Sequence, residues 1–169
     1  MSSFQQEIAQ FEMALAAAQV AENLSGAADI LCRLGELYES CDYGQQAVDC
    51  YQQAVTIARE IGDPHLEYQY LAKVGQTHDW MGQRIQAVEC FEKARAIAQA
   101  LDEPNSELYC LHMIEMLYEK QGDYRKALDY LEQAQNIYEK EFPNMETYLQ
   151  RRIIDLRRKI DADGTNLND

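Results

Sequence analysis

Few residues in this 169-residue chain are spaced as a catalytic or metal site requires. The three histidines, His65, His78 and His112, form neither an HExxH motif nor a zinc pattern with the cysteines. Thr77, His78 and Asp79 are consecutive, but neighbouring residues of a helix point in different directions, so they cannot form a proton relay. No GxxxxGK[ST] or GxGxxG loop is present to bind phosphate. The sequence therefore predicts a protein that is not an enzyme and needs no metal or cofactor.

Aromatic and methionine side chains suggest binding of another protein instead. Trp80, the single tryptophan, lies near the end of a predicted helix, and Tyr109, Met113 and Met116 fall on one predicted helix further on. Methionines and exposed aromatics suit adaptable binding of peptides and helices. For Trp80 a packing role is an equal alternative.

Helices must position these residues, because apolar side chains recur at intervals of three and four. Leu31, Leu34 and Tyr38 line one stripe, and Val48 and Tyr51 begin another after a break with turn residues at 41–44. The same pattern continues along the chain. It predicts helices at 3–22, 25–41, 44–61, 65–81, 84–101, 105–121, 124–140 and 145–161.

The chain repeats itself every forty residues. Small residues return at the positions where two helices would approach closely, as in Gly35 and Gly75. An aromatic returns as Tyr51 and Phe91. The third copy departs from this pattern, with Glu115 at the glycine position and Leu131 at the aromatic position.

Two segments, Leu34-Gly35-x-x-Tyr38 and Ala47-x-x-x-Tyr51-x-x-Ala54, resemble the tetratricopeptide repeat. The forty-residue period resembles a longer variety found in cell-polarity adaptors and in many bacterial proteins. The resemblance implies an all-α, right-handed solenoid of antiparallel helix pairs. It places repeats at 26–63, 64–103 and 104–143, between a half-repeat at 3–22 and a capping helix at 145–161. We expect one domain over 1–161 and a disordered tail at 162–169.

In such a stack the first helix of each pair lines the concave side, and helical phase selects the residues that point into the groove. These predicted partner-binding residues are Asp29, Arg33, Glu36, Glu39, Gln69, Lys73, Gln76, Asp79, Trp80, Tyr109, His112, Met113 and Met116. The capping helix could add Arg152 and Leu156. The basic pattern that lets some members of the family clamp a C-terminal carboxylate is absent, so we do not expect a chaperone-tail binder. Glu36, Glu39 and Asp79 instead suit a peptide or helix that carries basic residues beside an apolar anchor. We expect replacement of Trp80 and Tyr109 by alanine to abolish its capture.

Composition narrows the class of partner. The formal net charge of −14 argues against nucleic-acid binding and favours a basic partner. No apolar run is long enough to span a membrane. The five cysteines are odd in number and lack CxxC spacing, which is typical of thiols in a reducing compartment. We expect a cytoplasmic protein.

The two ends of the chain leave alternatives open. The half-repeat at 3–22 lacks a first helix, and its alanine-rich tract favours a homodimer. The alternative is that Phe4, Gln5 and Gln6 close this end as a cap. The last helix has a predicted apolar side formed by Tyr148, Ile153, Ile154 and Leu156. Its other side carries a basic group that either complements the helix dipole or docks an acidic partner: Arg151, Arg152, Arg157, Arg158 and Lys159. A self-assembling module and a regulatory subunit of an enzyme or response regulator are the alternatives to an adaptor.

Overall fold

The computed structural model describes residues 3–142 and 147–165, and every described element is an α-helix. The helices are α1 (Ser3–Val20), α2 (Leu24–Ser40), α3 (Gly44–Ile61), α4 (Pro64–Trp80), α5 (Arg84–Ala100), α6 (Pro104–Gln121), α7 (Tyr124–Glu141) and α8 (Thr147–Thr165). The all-α class is confirmed, and the predicted bounds of α2 to α7 agree to within one residue. The chain forms two compact units, Met1–Ile97 (unit 1) and Ala98–Asp169 (unit 2).

One residue with a left-handed backbone follows most of the helices. Positive φ angles in the described ranges occur at positions 22, 42, 62, 82, 102 and 122, which are twenty residues apart. Glycine occupies three of these positions, and Asp or Glu occupies the others. A left-handed residue just after a helix satisfies its last carbonyls and turns the chain sharply. The even spacing therefore gives the helices of the repeats nearly equal lengths, 17 or 18 residues, and the same kind of turn.

In unit 1, buried aromatic rings pack directly against glycines of neighbouring helices. Tyr51 of α3 is fully buried, and a Cβ placed on Gly35 of α2 would lie only 2.6 Å from its Cε1 atom. Gly75 of α4 meets Phe91 in the same way, at 3.0 Å. The glycines thus allow the close approach of helices that the repeat pattern predicts.

Unit 2 has a core formed by α6, α7 and α8. Leu131 of α7 packs with Leu149, Ile153 and Leu156 of α8, so α8 covers the third repeat as expected of a capping helix. Ile154, which we expected on this apolar side, is instead half exposed because it lies one residue out of phase with Ile153. The side chain of Tyr148 lies outside the described residues.

The end of α8 differs from the prediction. The helix continues to Thr165, beyond the expected end at residue 161, so the first four residues of the expected disordered tail are helical. Residues 166–169 of that tail lie outside the described residues.

Candidate functional site

In unit 1, α2 and α4 carry neighbouring polar side chains. Glu36 of α2 accepts a hydrogen bond from the Lys73 ammonium of α4 at 2.7 Å, and this bond raises the pKa of Lys73. Asp29, Gln69 and Gln76 are exposed on the same two helices. We refer to Asp29, Glu36, Gln69, Lys73 and Gln76 as the polar face. A surface ion pair of this kind contributes little to stability, so its charges remain competent to bind a partner.

Glu39 is not part of the polar face, although we predicted that it would bind a partner. One carboxylate oxygen accepts a hydrogen bond from the buried Tyr51 hydroxyl at 3.0 Å, and the other accepts one from the Thr77 hydroxyl. Glu39 therefore joins α2 to α3 and α4. Burial, reinforced by Glu39, raises the pKa of Tyr51, so this hydroxyl remains a neutral donor. Helical phase cannot foresee such hydroxyl donors, because they come from two other helices.

Arg33 is exposed but is directed towards α1. Its guanidinium carbon lies 5.5 Å from the centre of the Phe11 ring. In the forty-residue register Arg33 corresponds to Lys73, which pairs with a helix of the preceding repeat. No first helix precedes α1 within the described residues, and Arg33 lies over the aromatic ring instead. Such a cation–π contact leaves part of the guanidinium in solvent.

Trp80 lies at the end of α4, beside the turn between α2 and α3. Its side chain is 52% exposed, and a Cβ placed on Gly44 would lie 2.8 Å from its Cζ3 atom. One part of the ring thus packs on the backbone of Gly44 and the rest faces solvent. Next to Gly44, the exposed Tyr43 stacks on Phe4 with ring centres 5.5 Å apart. Trp80 and Tyr43 form an aromatic edge; the sequence analysis missed Tyr43 because it falls in a turn.

In unit 2 the predicted binding residues lie on α6. Tyr109, Met113 and Met116 are half-buried, and His112 is exposed with its Nδ1 atom 3.5 Å from the Glu115 carboxylate. The described geometry brings Glu115, absent from the prediction, next to His112. All of these α6 residues belong to unit 2.

The basic side of α8 is mostly neutralised within unit 2. Arg152 donates to Glu115 at 2.5 Å and to Glu119 at 2.6 Å, and Lys159 donates to Glu119 at 2.5 Å. Burial opposes ionisation of Glu119, but these hydrogen bonds outweigh it and lower the pKa of Glu119. Arg157 and Arg158 likewise pair with Glu132 and Asp155. These ion pairs leave fewer basic side chains of α8 available to bind an acidic partner. Leu156, which we expected to contribute to the groove, is fully buried in the core.

Within residues 3–142 and 147–165 no three His, Cys, Asp or Glu side chains converge as a metal site needs. The buried His78 shares a hydrogen bond with the Gln83 side chain at 2.6 Å, which fits the packing role rather than a relay. Burial raises the pKa of Cys32, of Cys90 and, to about 11, of Cys50, so these thiols stay protonated near neutral pH.

Solved structures similar to this chain share its helical repeat fold. A putative kinesin light chain from Podosopora anserina with nearly identical TPR-like repeats has a TM-score of 0.70 and 21% identity, over 98% of this chain and 81% of that one. BtubC (BKLC) from P. vanneervenii has a TM-score of 0.66 and 16% identity, over 83% of this chain and 59% of that one. Aspartyl phosphate phosphatase F from Bacillus subtilis has a TM-score of 0.67 and 16% identity, over 98% of this chain and 48% of that one. This chain thus spans about half to four fifths of these proteins, and at such identities the likeness concerns the fold alone.

Two sequence comparisons give different results for this chain. Comparison with curated protein sequences gives no match, whereas family profiles identify the repeats. None of the described helices combines the length and the hydropathy that crossing a bilayer would require. Family profiles described as tetratricopeptide repeat match residues 28–61 and 66–140, which together make up more than half of the chain. The chain therefore contains tetratricopeptide repeats, within an all-α solenoid fold.

Proposed function

We propose that this protein is a non-catalytic, cytoplasmic adaptor whose polar face and aromatic edge hold a peptide or helical segment of another protein. The observation that carries the proposal is the juxtaposition, within unit 1, of exposed acidic residues on α2 and the partly exposed Lys73 on α4 with the half-exposed Trp80 at the end of α4. Aromatic anchors supply most of the affinity in such interfaces, and charges supply specificity and association rate.

The charges favour a partner with lysine or arginine beside an apolar anchor. Asp29 and Glu36 are exposed on α2, and Lys73 is already hydrogen-bonded to Glu36. The whole chain carries 29 acidic against 15 basic residues, which favours approach of a basic segment over that of nucleic acid. Unit 2 carries a separate set of proposed partner-binding residues, Tyr109, His112, Met113 and Met116.

Selection of peptides from a random displayed library on the purified protein tests this proposal. We expect enriched peptides to combine a basic residue with an aromatic or aliphatic one. Their affinity, measured by fluorescence polarisation, should fall as salt is raised. If no peptide is enriched, or if the enriched peptides are acidic, the proposed partner chemistry is wrong.

Matched variants locate the binding surface. Glu36→Lys changes a charge on the polar face, whereas Glu67→Lys makes the same change where Glu67 pairs with Arg59 of α3, away from that face. Trp80→Ala has Ile61→Ala, at the exposed end of α3, as its control. We expect Glu36→Lys and Trp80→Ala each to weaken binding about tenfold or more, and the controls to change it less than about twofold. Equal losses of affinity in Glu36→Lys and Glu67→Lys would show that the polar face is not the binding site. Tyr109→Ala measures separately whether unit 2 takes part in binding.

Self-association through α1 is the second candidate function. Ala14 is exposed although the corresponding Ala54, Ala94 and Ala134 are buried, and Met13 and Val20 of α1 are 66% and 88% exposed. A second copy could cover this side of α1. Light scattering at high micromolar concentration should then give a dimer mass that a Met13→Gln, Val20→Gln variant reduces to that of a monomer. A monomer mass for the unmodified protein would exclude this function.

A regulatory role towards an enzyme or a response regulator is a special case of the adaptor. It uses the same surfaces and differs only in the identity of the partner.

A further inference from the structure

The third repeat has a cavity where the first two are filled by an aromatic ring. In repeats one and two, Tyr51 and Phe91 pack on a glycine, but here the smaller Leu131 faces Glu115. A leucine fills less space than a phenylalanine or tyrosine. The result is a partly open cavity of about 210 Å³ between α6, α7 and α8.

The walls of this cavity are mostly apolar. Leu108 and Leu111 of α6, Leu131 and Ala134 of α7 and Leu149 of α8 line it, and all five are buried. Such a lining binds the hydrocarbon part of a ligand.

Glu115, His112 and Tyr138 supply the polar groups of the cavity lining. Glu115 is the buried charge among them. The residue is 1% exposed, and its Oε1 atom accepts the hydrogen bond from Arg152. Its Oε2 atom is buried and accepts no hydrogen bond from any described residue; the nearest ion-pair partner, His112 Nδ1, is at 3.5 Å. A buried carboxylate oxygen without a donor costs about 1 to 3 kcal/mol or more, so this position favours a ligand that brings a donor.

We propose that this cavity binds the end of an alkyl chain that carries a primary ammonium, as a lysine side chain does. An ammonium has three donors and no acceptor, and its alkyl stem matches the leucine walls. The adjoining charges do not oppose a cation, because Glu115 and Glu119 balance Arg152 and Lys159, and the whole chain is strongly acidic. An anion would face Glu115 directly.

The identity of the ammonium as a lysine of the partner rests on the proposed function, which is peptide binding. The cavity itself belongs to unit 2 and involves no residue of the polar face. A failure of peptide binding at α2 and α4 and a failure of this site are therefore separate results.

Titration with n-pentylammonium chloride, followed by NMR of leucine methyl groups, tests the site. We expect shifts confined to leucines around the cavity, with a dissociation constant on the order of millimolar for so small a ligand. 1-Pentanol and pentanoate are the matched neutral and anionic probes, and both should bind at least about tenfold more weakly. Equal binding of pentanol, or absence of binding by pentylammonium, would overturn the proposal.

Two variants separate the charge from the cavity. Glu115→Gln keeps the side-chain volume and should weaken pentylammonium binding about tenfold while leaving pentanol unchanged. Leu131→Phe restores the aromatic of the other repeats, fills the cavity and should abolish binding of every probe in a protein whose circular dichroism is unchanged. Unaltered pentylammonium binding in either folded variant would contradict the assignment.

A last comparison identifies the source of the ammonium. A short peptide containing lysine should compete with pentylammonium, and the same peptide with the lysine acetylated on Nζ should not. Competition by both peptides, or by neither, would reject lysine as the natural ligand.

Discussion

Substitution of Arg152 by methionine removes the donor that holds one oxygen of the buried Glu115 carboxylate. Methionine keeps much of the apolar stem of arginine, so the change acts mainly on charge and hydrogen bonds. Both Glu115 oxygens would then lack a hydrogen-bond donor among the described residues, and Glu119 would lose one of its two donors.

The magnitude follows from burial. Breaking a buried ion pair by removal of one partner costs about 3 to 5 kcal/mol, because the other charge stays buried. Glu115 is 1% exposed, but the Arg152 side chain retains 25% exposure, which lets water reach the pair and places the expected loss near the lower bound, about 3 kcal/mol. The Arg157–Glu132 pair on the same helix is 61% and 44% exposed, so Arg157→Met should cost no more than about 1 kcal/mol.

Urea unfolding followed by far-UV circular dichroism measures both losses. Trp80 lies in unit 1, so its fluorescence is a poor reporter of α6 and α8, and hydrogen exchange of those helices is the better second measurement. A double variant, Glu115→Gln with Arg152→Met, should recover most of the loss because no charge is left buried. Equal destabilisation by Arg152→Met and Arg157→Met would refute the reasoning.

Two other predictions concern close packing and pH. Gly35→Ala should lower the free energy of unfolding by about 1 to 2 kcal/mol, because its Cβ would overlap the ring of the buried, hydrogen-bonded Tyr51. Gly75→Ala should be nearly neutral, because its Cβ would lie 3.0 Å from the Phe91 ring. Urea unfolding of both variants measures the difference. The folded-state pKa of Glu119 is lowered, so its stabilising contribution is present above its ordinary pKa of 4.5 and is lost as pH falls through the lower folded value. Glu119→Gln should therefore weaken the dependence of stability on pH below about 4.5, and an unchanged acid limb would contradict the assignment.

The local features of the fold could be predicted because they depend on residues close together in the sequence. Spacings of three and four select helices, and Asp63-Pro64 marks the start of α4, where the Asp63 carboxylate accepts hydrogen bonds from the backbone N–H groups of His65 and Leu66. The forty-residue recurrence of glycine and aromatic residues predicted which helix faces meet. The residues identified as departures, Glu115 and Leu131, are the ones that shape the cavity of unit 2.

Contacts between helices that are distant in the sequence decide which candidate side chains remain on the surface. Helical phase places Glu36 and Glu39 on nearly the same face of α2, yet Glu36 pairs with the partly exposed Lys73 while Glu39 accepts hydrogen bonds from α3 and α4. In the same way, the sequence places Arg152 in a basic patch, whereas in the structure it donates hydrogen bonds to two carboxylates of α6. The sequence by itself determined the helices, their repeat and their pairing, since these follow from local periodicity. Only the tertiary structure decided which charges are satisfied internally and where a cavity remains, because both depend on side-chain atoms that meet across three helices.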